Sequence, residues 1–199
     1  MSRRLLDIII SSLGLLLLAP VILLLALLVF ASIGRPILFV QHRSGLAGVP
    51  FPMIKFRTMS DARDADGDLL PDAARVSPFG RLLRRTRLDE LPGLWNILIG
   101  DMALTGPRPL LPVTIDALGE DGHRRGQVRP GLTGWAQVNG NTLLSDEEKL
   151  ALDLWYIDHA SWWLDLRILV MTLGVVVLGE KINRRQLGRA YAGGADRRG

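Results

Sequence analysis

Residues 81–109 read RLLRRTRLDELPGLWNILIGDMALTGPRP. At the centre lies the adjacent carboxylate pair Asp89 and Glu90. Arg81, Arg84, Arg85 and Arg87 precede it; Asp101 and the turn Gly106-Pro107-Arg108-Pro109 follow. Arginine forks grip phosphate oxygens in a bidentate way. A carboxylate beside them can attack phosphorus or hold Mg²⁺ against a diphosphate. The plainer alternative is an exposed charged helix with an i,i+4 pair from Arg85 to Asp89.

Local chemistry sets the elements around this pair. Ser77-Pro78 is a helix start, with Ser77 as N-cap and Pro78 at the first helical position. Pro92 is barred from a helix interior but tolerated in a first turn, so a second helix is expected from near Asp89 to Gly100. That places both carboxylates at a helix N-terminus, where free N–H groups favour an anion.

The chain has 199 residues, enough for one ordinary domain. It is 48% hydrophobic and 22% charged, an apolar balance that calls for a membrane segment. From Ile8 to Gly34 there is no charge. A helix over that run measures roughly 40 Å, enough to cross a hydrocarbon core of about 30 Å. It exceeds a signal-peptide apolar region, and no small-residue cleavage site follows. Pro20 interrupts it, and basic residues lie on both sides: Arg3 and Arg4 before, Arg35, Arg43, Lys55 and Arg57 after. The positive-inside tendency then places both ends in the cytoplasm, as a re-entrant helix does.

The absence of cysteine excludes disulfides, thiolate catalysis and cysteine zinc sites, and three scattered histidines form no metal pair. Any metal would be a hard cation on oxygen. The net charge of +4 suits phosphorylated substrates or anionic lipid. No nucleic-acid-binding signature, P-loop or dinucleotide fingerprint occurs.

Residues 34–59 carry two apolar runs around a turn at Gly45 to Gly48, a hairpin pattern. Gln41, Arg43, Lys55 and Arg57 on it are candidates to face a ligand, against a solvated hairpin face. Residues 60–75 are aspartate-rich but fail as a calcium loop, since Ala62 and Ala73 fall on ligand positions. They are expected as a flexible surface loop. Arg129 to Gly140, RPGLTGWAQVNG, suits a close-packed loop and short strand near a ligand, with Gln137 as a polar candidate. Ser145 to Glu148 caps a helix. From there to Gly179 the tryptophan-rich helices are expected along the membrane plane, with buried core helices as the alternative. Beyond Lys181 the chain is Gly- and Arg-rich and is expected to be flexible.

LDELPGLWNILIGDMALTGPRP, with IKFRTM upstream and RPGLTGWAQVNG downstream, resembles the bacterial sugar transferases of the small monotopic phosphoglycosyltransferase type. The likeness runs from about Arg3 to Gly179. It implies an α+β, mostly helical fold: a re-entrant membrane helix over 1–34, a catalytic domain with interfacial helices and a small hairpin over 35–180, and a basic tail over 181–199. It implies transfer of a phosphosugar from a UDP-sugar to polyprenol (undecaprenyl) phosphate with release of UMP, initiating glycoconjugate assembly. Asp89 would form a covalent phosphosugar intermediate; Glu90 would position Mg²⁺ or assist the acceptor, with Asp89 as the other metal ligand. Arg84 and Arg108 match positions that hold phosphate or nucleotide, and Lys55, Arg57 and Gln137 are expected nearby. The setting implied is the cytoplasmic face of the bacterial inner membrane, among its lipids, and is compatible with a homodimer.

The chain departs from the family pattern at Ala19 (serine), Gly93 (glutamine), Ala103 (serine) and Asn141 (arginine). Two rivals remain: a Mg²⁺-dependent hydrolase of the same diphosphate, and a membrane-anchored adaptor that binds nucleotide sugars.

Overall fold

The computed structural model describes residues 3–195. Helix α1 (Arg3–Ile33) runs through Pro20 as one helix. The hairpin β1 (Leu38–Ser44) and β2 (Pro50–Phe56) follows as expected, in register from Leu38 opposite Phe56 to Ser44 opposite Pro50. Next come α2 (Asp72–Arg75), α3 (Pro78–Thr86), a 3₁₀ turn (Leu88–Glu90) and α4 (Gly93–Ile99). The chain continues through β3 (Ala103–Thr105), α5 (Pro112–Ala117), α6 (Gly119–Arg124), β4 (Gly131–Thr133) and α7 (Trp135–Val138). It closes with α8 (Asp146–His159), α9 (Trp162–Leu178) and α10 (Arg184–Ala195). The fold is α+β and mostly helical.

Helix α1 is attached to the domain along its whole length. Arg4 donates to the carbonyls of Ile97 and Leu98 at 2.5 and 2.6 Å, satisfying the last turn of α4, where a cation is also favoured. The Asp7 carboxylate accepts from Leu104 N–H on β3 at 3.0 Å, and Arg3 pairs with Asp165 of α9 at 3.0 Å. Towards its other end, Ile22, Leu25, Val29 and Ile33 pack with Phe56 and Leu83. The remaining face is apolar and exposed, with Leu16, Leu17, Leu23 and Leu27 outward. By length and composition the helix is apolar enough to cross a membrane.

The α3 start is as read from the sequence: Ser77 Oγ accepts from Gly80 N–H at 2.8 Å. So is the capping box of Ser145 and Glu148 on α8. Residues 60–75 form an exposed loop closed at its base by the Met59–Val76 bridge, with the short α2 inside it.

β3 and β4 pair in parallel, Ala103 opposite Gly131 and Thr105 opposite Thr133. The glycines of the two loops are there for close approach. A Cβ at Gly131 would lie 2.1 Å from Gly106 N, and one at Gly134 would lie 2.0 Å from Gly106 O. Any side chain would force the two backbones apart.

The tryptophan-rich helices supply part of the core, as the buried-helix alternative has it, and leave a second apolar side exposed. Trp155 stacks on Trp135 with centroids 5.2 Å apart, and Leu152, Tyr156, Leu164 and Ile168 fill the same core. Trp163, Leu173, Val177 and Leu178 point outward. The basic tail differs from expectation. Its described part is helix α10, which buries Gln186 and Ala190 and packs Leu187 and Ala190 into the core that α8 shares. Arg- and Gly-rich composition hid a short apolar face at i and i+3 spacing. Residues 196–199 lie outside the described residues.

Candidate active site

Helix α3 ends at Arg87, which adopts the left-handed conformation (φ 59°, ψ 13°). That turn sends the chain directly into the 3₁₀ turn carrying Asp89 and Glu90. Both carboxylates are buried, with 7% and 8% of their surface exposed. The exposed-helix alternative therefore fails. The pair sits in a tight turn just before α4 rather than within its first turn.

Two devices bring the rest of the site to this turn. The first is Asn96 on α4, itself buried. It accepts from Ile54 N–H at 3.0 Å and donates to the Pro52 carbonyl at 2.8 Å, pinning α4 against β2. Lys55 lies on that same strand, its ammonium 5.2 Å from the Phe39 ring centroid. The second is the buried ion pair of Arg125 and Asp153, 2.6 Å apart. Arg125 also donates to the Arg108 carbonyl at 2.9 Å, so the turn between Pro107 and Pro109 has a fixed seat. From that seat the Arg108 guanidinium reaches Glu90 Oε1 at 2.6 Å.

The electrostatics are those of a crowded site. Burial pushes the Asp89 carboxyl above its ordinary range and Glu90 pushes it further, while Lys55 and Arg108 pull it down. Burial lowers the Lys55 ammonium, against the opposing pull of Asp89. Arg43 and Arg84 act on Lys55 from nearby. Arg84 donates to Thr58 Oγ1 at 2.9 Å; Arg43 is held by Gln41 at 2.6 Å.

The structure thus gathers Asp89, Glu90, Lys55, Arg84 and Arg108. Gln137 joins them through a cavity whose lining it shares with Glu90 and Arg87; its amide donates to the Leu132 carbonyl at 3.0 Å. Arg57 stands apart. It is buried, donates to the Arg35 carbonyl at 2.7 Å and pairs with the Asp61 carboxylate, so both terminal nitrogens are engaged within the chain. Asp101 accepts from Asn96 at 3.1 Å and supports that side chain. Arg87 and Glu180 were not singled out as a pair. They lie 2.7 Å apart, and Arg87 comes within 4.0 Å of Glu90. Glu180 also accepts from Asn141 and Thr142. Burial alone would raise its carboxyl, but these hydrogen bonds and Arg87 more than offset that, and its pKa lies below the usual value. Among the described residues no group of three or more His, Asp or Glu side chains forms a ready-made metal cage.

The description "Bacterial sugar transferase" belongs to the family profile that matches residues 1–179. The chain belongs to the bacterial sugar transferase family. This sugar transferase is 50% identical over 153 residues to an uncharacterized sugar transferase, EpsL, of Bacillus subtilis, covering 77% of this chain and 76% of that protein. It is 40% identical over 192 residues to a UDP-glucose:undecaprenyl-phosphate glucose-1-phosphate transferase of Xanthomonas campestris. There the match covers 90% of this chain but only 39% of the relative. A protein of the same description from Caulobacter vibrioides is 40% identical over 186 residues, which is 68% of its length. The sugar transferase is an enzyme.

Proposed function

We propose that this enzyme moves a sugar 1-phosphate from a UDP-sugar to a polyprenyl phosphate such as undecaprenyl phosphate, releasing UMP. The reading draws on the activity named for the relatives. One observation carries it to this chain: a buried Asp89 beside Lys55, next to a Glu90 tied to Arg108.

In the first step an Asp89 carboxylate oxygen attacks the sugar-bearing phosphorus. An O–P bond forms, the bond to the bridging oxygen breaks, and UMP leaves with the electron pair. In the second step a phosphate oxygen of the acceptor attacks the same phosphorus. The aspartyl bond breaks, the carboxylate is regenerated, and a polyprenyl diphosphate sugar leaves. Splitting one displacement into two is the benefit of a covalent route. Lys55 and Arg108 favour the ionised form of Asp89 against the larger effect of burial, and they neutralise charge on the transferring group. Arg84 orients the donor.

Mg²⁺ fits as a partner of the substrate. Two adjacent buried carboxylates offer the one or two protein oxygens that Mg²⁺ uses when phosphates supply the rest. Asp89 and Glu90 would hold it, and it would screen the diphosphate charge.

The donor is soluble and the acceptor phosphate lies at headgroup level. A domain joined to both ends of its apolar helix stays on one side of the membrane, and a cytoplasmic placement gives it the nucleotide sugar. The experiment is UMP release in nanodiscs with Mg²⁺ across a panel of UDP-sugars, with and without undecaprenyl phosphate. Lipid-dependent turnover that vanishes in Asp89→Asn is the expected result. Sustained lipid-independent release with free sugar phosphate would instead make the enzyme a hydrolase. Unchanged activity in Asp89→Asn would remove the covalent route.

A further inference from the structure

Beside the catalytic turn lies a cavity of about 200 Å³. Arg87 and Glu90 contribute to its wall from that turn. Most of the remaining wall is apolar, formed by Leu91, Leu132, Leu169, Val175 and Val176, with Gln137 as a polar member whose amide is held by the Leu132 carbonyl. The two threonines in it, Thr133 and Thr172, bond to each other at 2.7 Å, and Thr172 donates to the Ile168 carbonyl at 2.8 Å. Their hydroxyls are therefore spent within the wall.

We propose that this cavity seats the first isoprene unit of the acceptor, with Arg87 holding its phosphate. The proposal rests on the polyprenyl phosphate reading above and adds where that lipid sits. An apolar cavity of about 150 Å³ is enough for benzene, so this one accommodates a five-carbon unit. The wall helix α9 carries Leu173, Val177 and Leu178 on its exposed side, which gives the rest of the chain an apolar path to the bilayer. Charge fixes the polarity of the ligand. Arg87 is the cation that belongs both to this cavity and to the catalytic turn, 4.0 Å from Glu90. Glu180, itself fixed by Asn141 and Thr142, acts as a strut that holds the guanidinium in place. Position 141, where the family pattern has arginine, here holds the residue that fixes the strut. The guanidinium next to it comes from position 87 instead.

The full chain in nanodiscs provides the test, by two independent readouts. In the first, Val176→Trp fills the cavity and Arg87→Met removes the cation. Each is expected to raise the KM for undecaprenyl phosphate roughly tenfold or more, since each buried methylene is worth several-fold in affinity. In Val176→Trp, which lies outside the catalytic turn, the KM for the UDP-sugar and the UMP burst without lipid stay as in wild type. An unchanged acceptor KM in both variants overturns the proposal. In the second, a prenyl phosphate with a photoreactive group on its first isoprene is cross-linked and the label mapped. Label on residues 169–176, displaced by undecaprenyl phosphate but not by inorganic phosphate or phosphatidylglycerol, supports the seat even if no transfer is seen. Absent transfer would then count against the function alone. Label elsewhere, or displacement by phosphatidylglycerol at equal concentration, overturns the seat.

Discussion

Arg108 donates from Nη2 to Glu90 Oε1 at 2.6 Å, from a backbone flanked on both sides by proline. The turn is set before any substrate arrives, so little ordering entropy remains to be lost on binding. Arg108→Lys keeps the charge and loses the planar fork. The expected result is a fall in kcat/KM for the nucleotide sugar of roughly 10- to 100-fold, the worth of a hydrogen bond to a charged group. Steady-state kinetics would check it, and an unaltered kcat/KM would deny Arg108 a role in the donor site.

The acid limb of the pH–rate profile should report Asp89. Attack needs the ionised form, so activity is lost as pH falls through its pKa. Burial and Glu90 place that pKa above the ordinary carboxylate range, and Lys55 and Arg108 pull it back. Lys55→Met removes one downward pull, so the acid limb moves to higher pH. In Glu90→Gln one upward push disappears, and the limb of the residual rate moves to lower pH. Shifts of kcat/KM profiles in the same direction for both variants would contradict this assignment.

The Arg125–Asp153 pair is a buried ion pair whose burial raises the Asp153 carboxyl while Arg125 lowers it. Asp153→Ala leaves an unpaired buried cation and is expected to cost about 3–5 kcal/mol. Replacing both partners by Met and Leu should recover most of that. Activity should stay low in the double variant, because the Arg108 carbonyl has lost its donor. Thermal unfolding in detergent, read beside UMP release, separates the two effects.

Asn96→Leu keeps size and removes both bonds to β2. Two backbone groups of Pro52 and Ile54 lose their partners, at a cost of roughly 1–3 kcal/mol. Lys55 loses its fixed place beside Asp89, so kcat should fall more than stability alone explains. Asn96→Asp keeps the acceptor for Ile54 N–H but sets its second oxygen against the Pro52 carbonyl and Asp101, so it should lose both stability and activity. Equal rates for all three proteins at a temperature where each is folded would show that Asn96 only stabilises.

Local chemistry was the legible part of this molecule. Ser77-Pro78, the Ser145 capping box and the Gly45–Gly48 turn each follow from one residue satisfying a nearby backbone group. Asp89, Glu90 and Arg108 were legible because residue type and family likeness pointed the same way. What escaped depends on pairings far apart in sequence. Nothing near Arg125 announces Asp153, and nothing near Arg87 announces Glu180. The β3–β4 pair is three residues on each side, too short for any alternation to show. Arg57 was drawn in by its neighbours in IKFRTM, yet one step beyond the end of β2 its side chain turns to Arg35 and Asp61. In the tail, Arg- and Gly-rich composition masks the apolar spacing of Leu187 and Ala190.

Helix α1 is sutured to the domain at Arg3, Arg4 and Asp7 and again at Leu25 and Val29. Removing it would not liberate a soluble catalytic fragment. It would strip the cover from Phe56 and Leu83, unbind the end of α4 and leave a β3 amide without its acceptor. An unrelated spanning segment grafted in its place would restore residence in the bilayer but not the missing wall. In this protein the apolar helix is a wall of the same domain that carries the charged cluster, not an appendage to it.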